Sequence, residues 1–265
     1  MFNIKKFEKG GVELTPVNQE SIEKIDRNEI KRMLEIDGLI LFRGFDLNAL
    51  KYSDFLQSFC KKVTLDPARE YVSKSAQLVD AGYDEIPLHC ENGLTPFLPD
   101  ILLFFCERPA SSGSATTYCD GKLVWKELSE KAKNYFKNHQ FYFKRIIPEK
   151  LWKKYLANEY KITDLSSLSP DFYDQVIKSF PQHHLEIQPN GDIIANLNIP
   201  LVHKTKFSDE LAFANSLIGP SYNYQTPEVK DETSTQIPKE FYDEFKAVSD
   251  RLTGDVLWEK MTCYS

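Results

Sequence analysis

The sequence predicts a mixed α/β fold dominated by strands: a double-stranded β-helix (jelly roll) core with flanking helices. Many short apolar runs are separated by turn residues, with a few helical patterns between them, which is typical of a sandwich or barrel. The 18 Phe and 13 Tyr also favour strands. Because the 265 residues contain no low-complexity break, we expect one domain spanning residues 1–265.

The N-terminal part is predicted to alternate helices with one strand. Apolar residues at helical spacing predict a helix within residues 20–35, and Gly38 follows as its stop. The apolar run 39–45 predicts a buried strand. Residues of a second helical face come next: Leu50, Phe55, Leu56 and Phe59. Residues 63–88 show no periodicity, and an irregular segment of this length is typical of a lid or binding loop.

The middle of the chain is predicted to continue with a strand at 101–106. Asp120 is a helix N-cap residue, and the residues after it have amphipathic spacing. A strand at 141–147 and a helix at 151–158 follow.

The last third contains the clearest turn signals. Ser169-Pro170 opens a helix, with Pro at its first position. Two strands around Pro189-Asn190-Gly191 predict a hairpin, and residues 202–215 predict a second one. Pro238 opens the last helix, and a strand begins at Val256.

Composition excludes several classes of function. A net charge of −6 and a pI near 5.5 argue against a nucleic-acid or anionic-membrane surface. No apolar stretch reaches membrane-spanning length, and the first residues lack the apolar core of a signal peptide. The five Cys show no CxxC spacing and are expected to be reduced thiols. We therefore expect a cytoplasmic protein.

The tripeptide His89-Cys90-Glu91 carries the strongest chemical signal. On an extended segment side chains alternate, so His89 and Glu91 are expected to point the same way. An imidazole and a carboxylate side by side supply two thirds of the 2-His-1-carboxylate face of non-haem Fe(II) oxygenases. The alternative is a surface His and Glu flanking a Cys90 that packs inward as a small hydrophobe.

Several further motifs stand around this tripeptide in a fixed order. They are Gly38-Leu-Ile-Leu-Phe-Arg-Gly-Phe45, Pro99-Asp100-Ile-Leu-Leu-Phe-Phe-Cys106, Pro109-Ala110, Gly113-x-x-Thr116, Asp120-Gly121 and Ala212-Phe-Ala-Asn215. Together with His89-x-Glu91 they resemble, in order and approximate spacing, the taurine dioxygenase-like (TauD/TfdA-like) family of Fe(II)/2-oxoglutarate oxygenases. The resemblance extends from about residue 20 to Trp258.

The resemblance implies a hydroxylase-type oxygenase that uses Fe(II), 2-oxoglutarate and O2 on a small molecule, such as an amino acid or derivative. His89 and Glu91 would then be metal ligands, and the Thr116 hydroxyl would bind the 2-oxoglutarate carboxylate. The substrate would enter under the 63–88 loop, where Tyr83 and Asp84 are possible contacts together with Asn92. In the motif at Gly113 the family's second Gly is replaced by Ser114.

In the resembled family the strand after Trp258 leads to a distal His ligand and an Arg that binds 2-oxoglutarate. Neither follows here, where the sequence continues Glu-Lys-Met-Thr-Cys-Tyr-Ser265. We therefore expect a chain truncated before both groups and lacking the last core strands, as a frameshift would produce. Other candidates for the third ligand are the remaining His residues: His203, which lies in a barrel strand and comes first, then His139, His183 and His184.

Two other functions are considered. The missing His and Arg favour the first, a catalytically inactive dioxygenase-like fold that serves as a binding protein or is a non-functional remnant. The second, a cupin-type isomerase, would need two more His near His89, which the sequence does not contain. Arg43 is expected to form a structural ion pair. The Trp residues are expected to fill the core or a pocket wall: Trp125, Trp152 and Trp258.

Overall fold

The computed structural model describes residues 1–259 apart from residues 19, 65–68, 70–71, 74, 80–83, 96, 182, 207 and 220–226. The strands, in chain order, are β1 (Phe2–Lys6), β2 (Val12–Pro16), β3 (Ile40–Phe42), β4 (Thr116–Tyr118), β5 (Phe141–Ile147), β6 (His183–Ile187), β7 (Ile193–Asn198), β8 (His203–Lys204), β9 (Leu211–Ala212), β10 (Glu228–Asp231) and β11 (Gly254–Val256). The helices are α1 (Arg27–Asp37), α2 (Ala49–Phe59), α3 (Gly121–Glu127), α4 (Glu130–Asn138), α5 (Glu149–Tyr160), α6 (Pro170–Lys178) and α7 (Lys239–Leu252).

The N-terminal layer consists of a three-stranded sheet and two helices. The sheet has the order β1-β2-β3, with β1 antiparallel and β3 parallel to β2. Inward-facing Val12 and Leu14 of β2 pack with Ile30 and Met33 of α1 and with Phe55 of α2 in one apolar cluster. This burial explains why α1 and α2 form where helical spacing of apolar residues predicts them.

The larger core surrounds an antiparallel four-stranded sheet with the order β10-β5-β7-β6. β7 alternates buried and half-buried residues, and its buried residues Ile193, Ala195 and Leu197 belong to the same apolar cluster as Phe141 and Phe143 of β5. Helices α3 to α7 contribute most of the remaining buried side chains of this cluster, and loop residues such as Leu94 and Phe213 contribute the others. The hairpins predicted at 185–195 and 202–215 are confirmed as β6–β7 and β8–β9.

Two smaller pairs of strands complete the described part of the fold. β4 pairs with β11, although the two are far apart in the sequence, and Val256 lies opposite Thr116. The predicted cap at Asp120 is confirmed, because its side chain accepts a hydrogen bond from the Lys122 amide at the start of α3. The amphipathic stretch after it forms two helices, because Ser129 caps a new helix, α4, after α3 has ended.

The mixed α/β class is confirmed, but the expected dominance of strands is wrong for the described residues. The seven α-helices contain more residues than the eleven strands, since amphipathic helices supply much of the larger core. The strand expected at 101–106 is also absent there: Leu103 and Phe105 pack into the N-terminal cluster, but the Leu103 carbonyl accepts the Tyr52 hydroxyl at 2.9 Å instead of a ladder bond. The jelly-roll topology stays a prediction.

No helix within the described ranges combines the length and apolar character needed to cross a membrane.

Candidate metal centre

His89 and Glu91 lie close together on an irregular segment, residues 87–95, which we call the ligand segment. Their nearest side-chain atoms, His89 Nε2 and Glu91 Oε2, are 3.9 Å apart. Metal–ligand bonds to nitrogen and oxygen are about 2.1 Å, so two neighbouring ligand atoms of one ion lie about 3.0–3.4 Å apart. Both side chains are largely buried, at 19% and 15% exposed. The two atoms are therefore slightly farther apart than two neighbouring ligands of one ion, and a side-chain movement of about 1 Å or less would bring them to that separation.

The orientation of the His89 ring suits a metal ligand. Its Nδ1 lies 2.8 Å from the carbonyl oxygen of Pro87. Since a carbonyl can only accept, Nδ1 carries the hydrogen, and in the neutral ring Nε2 keeps its lone pair on the side of Glu91. Metal-binding His residues commonly have such a bond on the second nitrogen, because it fixes tautomer and ring orientation.

The electrostatics of the pair keep Glu91 ionised. The neighbouring His89 and Arg69 hold the pKa of Glu91 below its usual value, despite the opposing effect of burial. Burial acts to lower the pKa of His89, but Glu91 and the Pro87 carbonyl outweigh it and raise this pKa. The Arg69 guanidinium stands 3.8 Å from Glu91 Oε1. Glu91 is thus a carboxylate at neutral pH, which is the form that binds metals.

Ser216 holds the ligand segment from a distant part of the chain. Its Oγ accepts from the Cys90 amide at 3.2 Å and donates to the Cys90 carbonyl at 3.3 Å. Gly93 permits this approach, because a Cβ there would lie 2.5 Å from Ser216 Oγ and 2.8 Å from Cys90 Cβ. The sequence analysis missed both residues. Burial raises the pKa of the Cys90 thiol to about 11, in keeping with the expected apolar role of this side chain.

Thr116 begins β4, and its hydroxyl is oriented by Trp258. The indole Nε1 of Trp258 donates to Thr116 Oγ1 at 2.8 Å. Because a hydroxyl has one hydrogen to give, that hydrogen stays available for an acceptor such as a carboxylate. We call β4, β11 and Trp258 the Thr116 edge.

Arg43 connects this edge to the N-terminal layer, and its expected ion pair is confirmed. Its Nε lies 2.9 Å from Glu13, while Nη2 donates to the Leu257 carbonyl at 2.6 Å. Arg43 thereby holds the residue that precedes Trp258. The other two Trp residues pack with the larger core: Trp152 is buried and Trp125 half-buried.

One large cavity of about 1480 Å³ connects the two halves of the site, since its wall includes His89, Thr116, Trp258 and His203. His203 lies in β8, and burial lowers its pKa, which favours the neutral ring that binds metals. Across the described ranges, however, no group of three or more His, Cys, Asp and Glu is arranged to hold a metal. The structure therefore brings together two candidate ligands, His89 and Glu91, and places His203 on the wall of the cavity that His89 lines.

The other His residues have structural surroundings. His139 ends α4, with Nδ1 2.8 Å from the Tyr135 carbonyl and its ring against that of Tyr135. His183 is buried beside Phe180, and His184 is exposed on β6. None of these three His residues lines the large cavity.

The residues proposed for substrate contact have different positions. Asn92 is half-buried in the ligand segment, has a φ of 53°, and lines a second, smaller cavity. Tyr83 lies outside the described residues, and Asp84 is exposed. Ser114 has a φ of 55°, so it adopts the left-handed backbone of the Gly that it replaces.

A mixed α/β scaffold thus carries a His and a carboxylate side by side, with His89 on the wall of a large cavity. The chain belongs to the family described as taurine catabolism dioxygenase TauD, TfdA family, whose family model matches residues 4–261. No curated protein matches the sequence.

Solved structures share the fold at low sequence identity. One is a protein from Burkholderia xenovorans provisionally described as an alpha-ketoglutarate dependent 2,4-D dioxygenase, with a TM-score of 0.50 and 10% identity. Another is AAD-2 in complex with Mn(II) and N-oxalylglycine, with a TM-score of 0.53 and 9% identity. Each alignment covers 98% of this chain and 84% of the other chain. These matches support the fold assignment.

Proposed function

We propose that this protein is an Fe(II)/2-oxoglutarate-dependent oxygenase of the hydroxylase type that acts on a small molecule, such as an amino acid or derivative. The observation that carries the proposal is the His89–Glu91 pair, with Nδ1 of His89 fixed by the Pro87 carbonyl and Nε2 turned towards the carboxylate. Membership of the TauD, TfdA family supports it, and the Mn(II) complex of AAD-2 shows that a related fold accommodates a divalent metal.

Each residue has a defined task in this proposal. His89 and Glu91 hold Fe(II), and His203 is the first candidate for a third ligand because it lines the same cavity. Bound iron with 2-oxoglutarate would supply O2 activation for hydroxylation of a carbon centre. Thr116 donates its hydroxyl hydrogen to the 2-oxoglutarate carboxylate while Trp258 holds its oxygen. Apolar walls such as Ile101 and Leu103 limit the access of water to the same cavity.

An anaerobic titration of the purified chain with Fe(II) and then 2-oxoglutarate tests this proposal. If the keto acid chelates a protein-held iron, a weak charge-transfer band appears in the visible spectrum. We expect the band in the unmodified chain, and we expect His89→Ala and Glu91→Ala to abolish it. His203→Ala should weaken it if His203 is the third ligand.

His184→Ala is the matched control, because His184 is an exposed His on β6 away from both cavities. It should leave the band unchanged. A band that persists in His89→Ala, or the lack of a band in the unmodified chain under saturating Fe(II), would refute the metal site.

A second candidate is a catalytically inactive dioxygenase-like fold that binds a small molecule. It is favoured by one observation: across the residues that the structure describes, no third His, Cys, Asp or Glu joins His89 and Glu91. This candidate predicts weak metal binding without a charge-transfer band, together with ligand binding that does not depend on metal. The titration therefore separates the two candidates.

A further inference from the structure

The smaller cavity lies between the four-stranded sheet and helices α5 and α6. Its volume is about 110 Å³, and its walls are largely apolar rings and branched side chains. Trp152, Tyr173, Val176 and Phe180 are representative of them. A cavity of about 150 Å³ with apolar walls is known to bind benzene, so a volume of 110 Å³ suits a group of about five or six carbon atoms.

A buried hydroxyl forms part of this wall. Tyr173 is 3% exposed, and its hydroxyl has no hydrogen-bond partner among the described residues. Burial raises the pKa of this hydroxyl, so it stays protonated and can donate. A buried hydroxyl without a partner is unfavourable, and a ligand with an acceptor atom would satisfy it.

The position of the cavity relates it to the candidate metal centre. Cys90, between the two proposed ligands, lies in the walls of both the large and the small cavity. Asn92 and Gly93, directly after Glu91, also line the small cavity. A molecule seated there would contact Cys90, Asn92 and Gly93, and thus lie beside the residues that flank Glu91.

We propose that the small cavity binds a compact apolar group of five or six carbon atoms that carries one hydrogen-bond acceptor, and that Tyr173 donates to this acceptor. The assignment of this group to the substrate rests on the proposed oxygenase function, whereas the binding site itself does not. The substrate class that follows is a small molecule with a branched aliphatic or single-ring moiety bearing an oxygen or nitrogen acceptor. Its polar remainder would extend along the ligand segment.

Two ring probes of nearly equal size test the site without added metal: tetrahydropyran, which has an ether acceptor, and cyclohexane, which has none. Binding is followed by NMR through the methyl signals of Val176 and Leu156. We expect both probes to bind the unmodified chain. Tyr173→Phe keeps the ring but leaves the buried ether oxygen without a partner, so the ratio of tetrahydropyran to cyclohexane affinity should fall about fivefold or more in this variant.

Val176→Phe should fill the cavity and abolish binding of both probes. If that variant does not fold, Tyr173→Phe decides alone, because it removes a single buried oxygen. The proposal is overturned if neither probe shifts the Val176 and Leu156 signals. It is also overturned if the ratio of tetrahydropyran to cyclohexane affinity is the same in Tyr173→Phe as in the unmodified chain.

The same probes separate this inference from the proposed function. Probe binding without a charge-transfer band would support the cavity site and refute the iron site. A band without probe binding would support the iron site and refute the cavity site. If the cavity serves the substrate of an oxygenase, tetrahydropyran should also shift the visible band of the Fe(II)/2-oxoglutarate complex. A band that does not respond to bound tetrahydropyran would overturn the assignment to the substrate.

Discussion

The two halves of the candidate site are supported in different ways. The ligand segment around His89 and Glu91 forms no strand among the described residues, and side-chain bonds from Ser216 to the backbone of Cys90 hold it. The Thr116 edge is held by a regular antiparallel ladder between β4 and β11. A ladder distributes its support over several backbone bonds, whereas the ligand segment depends on a few contacts. Single substitutions should therefore disturb the metal ligands more than the Thr116 edge.

The largest expected effect comes from Gly93→Ala in the ligand segment. The new Cβ would lie 2.8 Å from both the Cβ and the carbonyl oxygen of Cys90, atoms that the backbone fixes. We expect destabilisation of about 3 kcal/mol, measured as the free energy of unfolding in urea. Fe(II) affinity should fall as well, since Cys90 lies between the two proposed ligands.

Gly113→Ala is the control for this change, because it lies next to the Thr116 edge and a Cβ there meets no atom within 4 Å. Its φ of 70° still makes a side chain unfavourable by about 1 kcal/mol. Equal losses of stability in Gly93→Ala and Gly113→Ala would contradict the contrast between the two halves of the site.

Ser216→Ala should have the next largest effect. The substitution removes the side-chain hydroxyl that bonds the Cys90 amide and the Cys90 carbonyl. Ser216 itself is only 3% exposed. We expect a loss of about 2 kcal/mol in stability and a Fe(II) affinity reduced about tenfold, because the backbone between the two proposed ligands would shift once Ser216 no longer holds it. Isothermal titration calorimetry measures the affinity.

The double variant Gly93→Ala/Ser216→Ala sharpens this prediction. Removing Ser216 Oγ relieves the 2.5 Å contact but leaves both 2.8 Å contacts with Cys90. The double variant should therefore stay at least as unstable as Gly93→Ala. Recovery to the stability of Ser216→Ala would show that Ser216 Oγ is the only obstacle.

Trp258→Phe tests the Thr116 edge itself. It removes the 2.8 Å hydrogen bond to Thr116 Oγ1 and keeps an aromatic ring. Since the ladder between β4 and β11 stays intact, we expect little change in stability. The affinity for 2-oxoglutarate, read from the charge-transfer band, should fall about fivefold because the Thr116 hydroxyl loses its fixed orientation. Fe(II) affinity should be unchanged.

Trp125→Phe is the matched control, because Trp125 packs against the larger core and does not line the large cavity. It should change neither affinity. A loss of Fe(II) affinity in Trp258→Phe would show that the two halves of the site are not independent.

The same contrast explains what the sequence could and could not predict. Local signals located β5, the hairpin β6–β7, the Asp120 cap and the His89–Glu91 pair, because each depends on residues a few positions apart. The contact of Ser216 with Cys90 joins residues 126 positions apart, and a serine in a loop carries no local signal for it. The run 101–106 is continuously apolar, as in a buried strand, but pattern alone cannot show that Tyr52 takes a backbone acceptor there.

The smallest expected effect concerns Ser114, two residues before Thr116. Its φ of 55° is unfavourable for a side chain, and Gly would relieve this strain at the cost of a more flexible unfolded state. We expect Ser114→Gly to stabilise the chain by about 0.5 kcal/mol, measured in urea, without altering Fe(II) affinity. Because β4 is already fixed by its ladder with β11, 2-oxoglutarate affinity should change less than twofold. A larger gain in that affinity would mean that the turn before β4, rather than the ladder, positions Thr116.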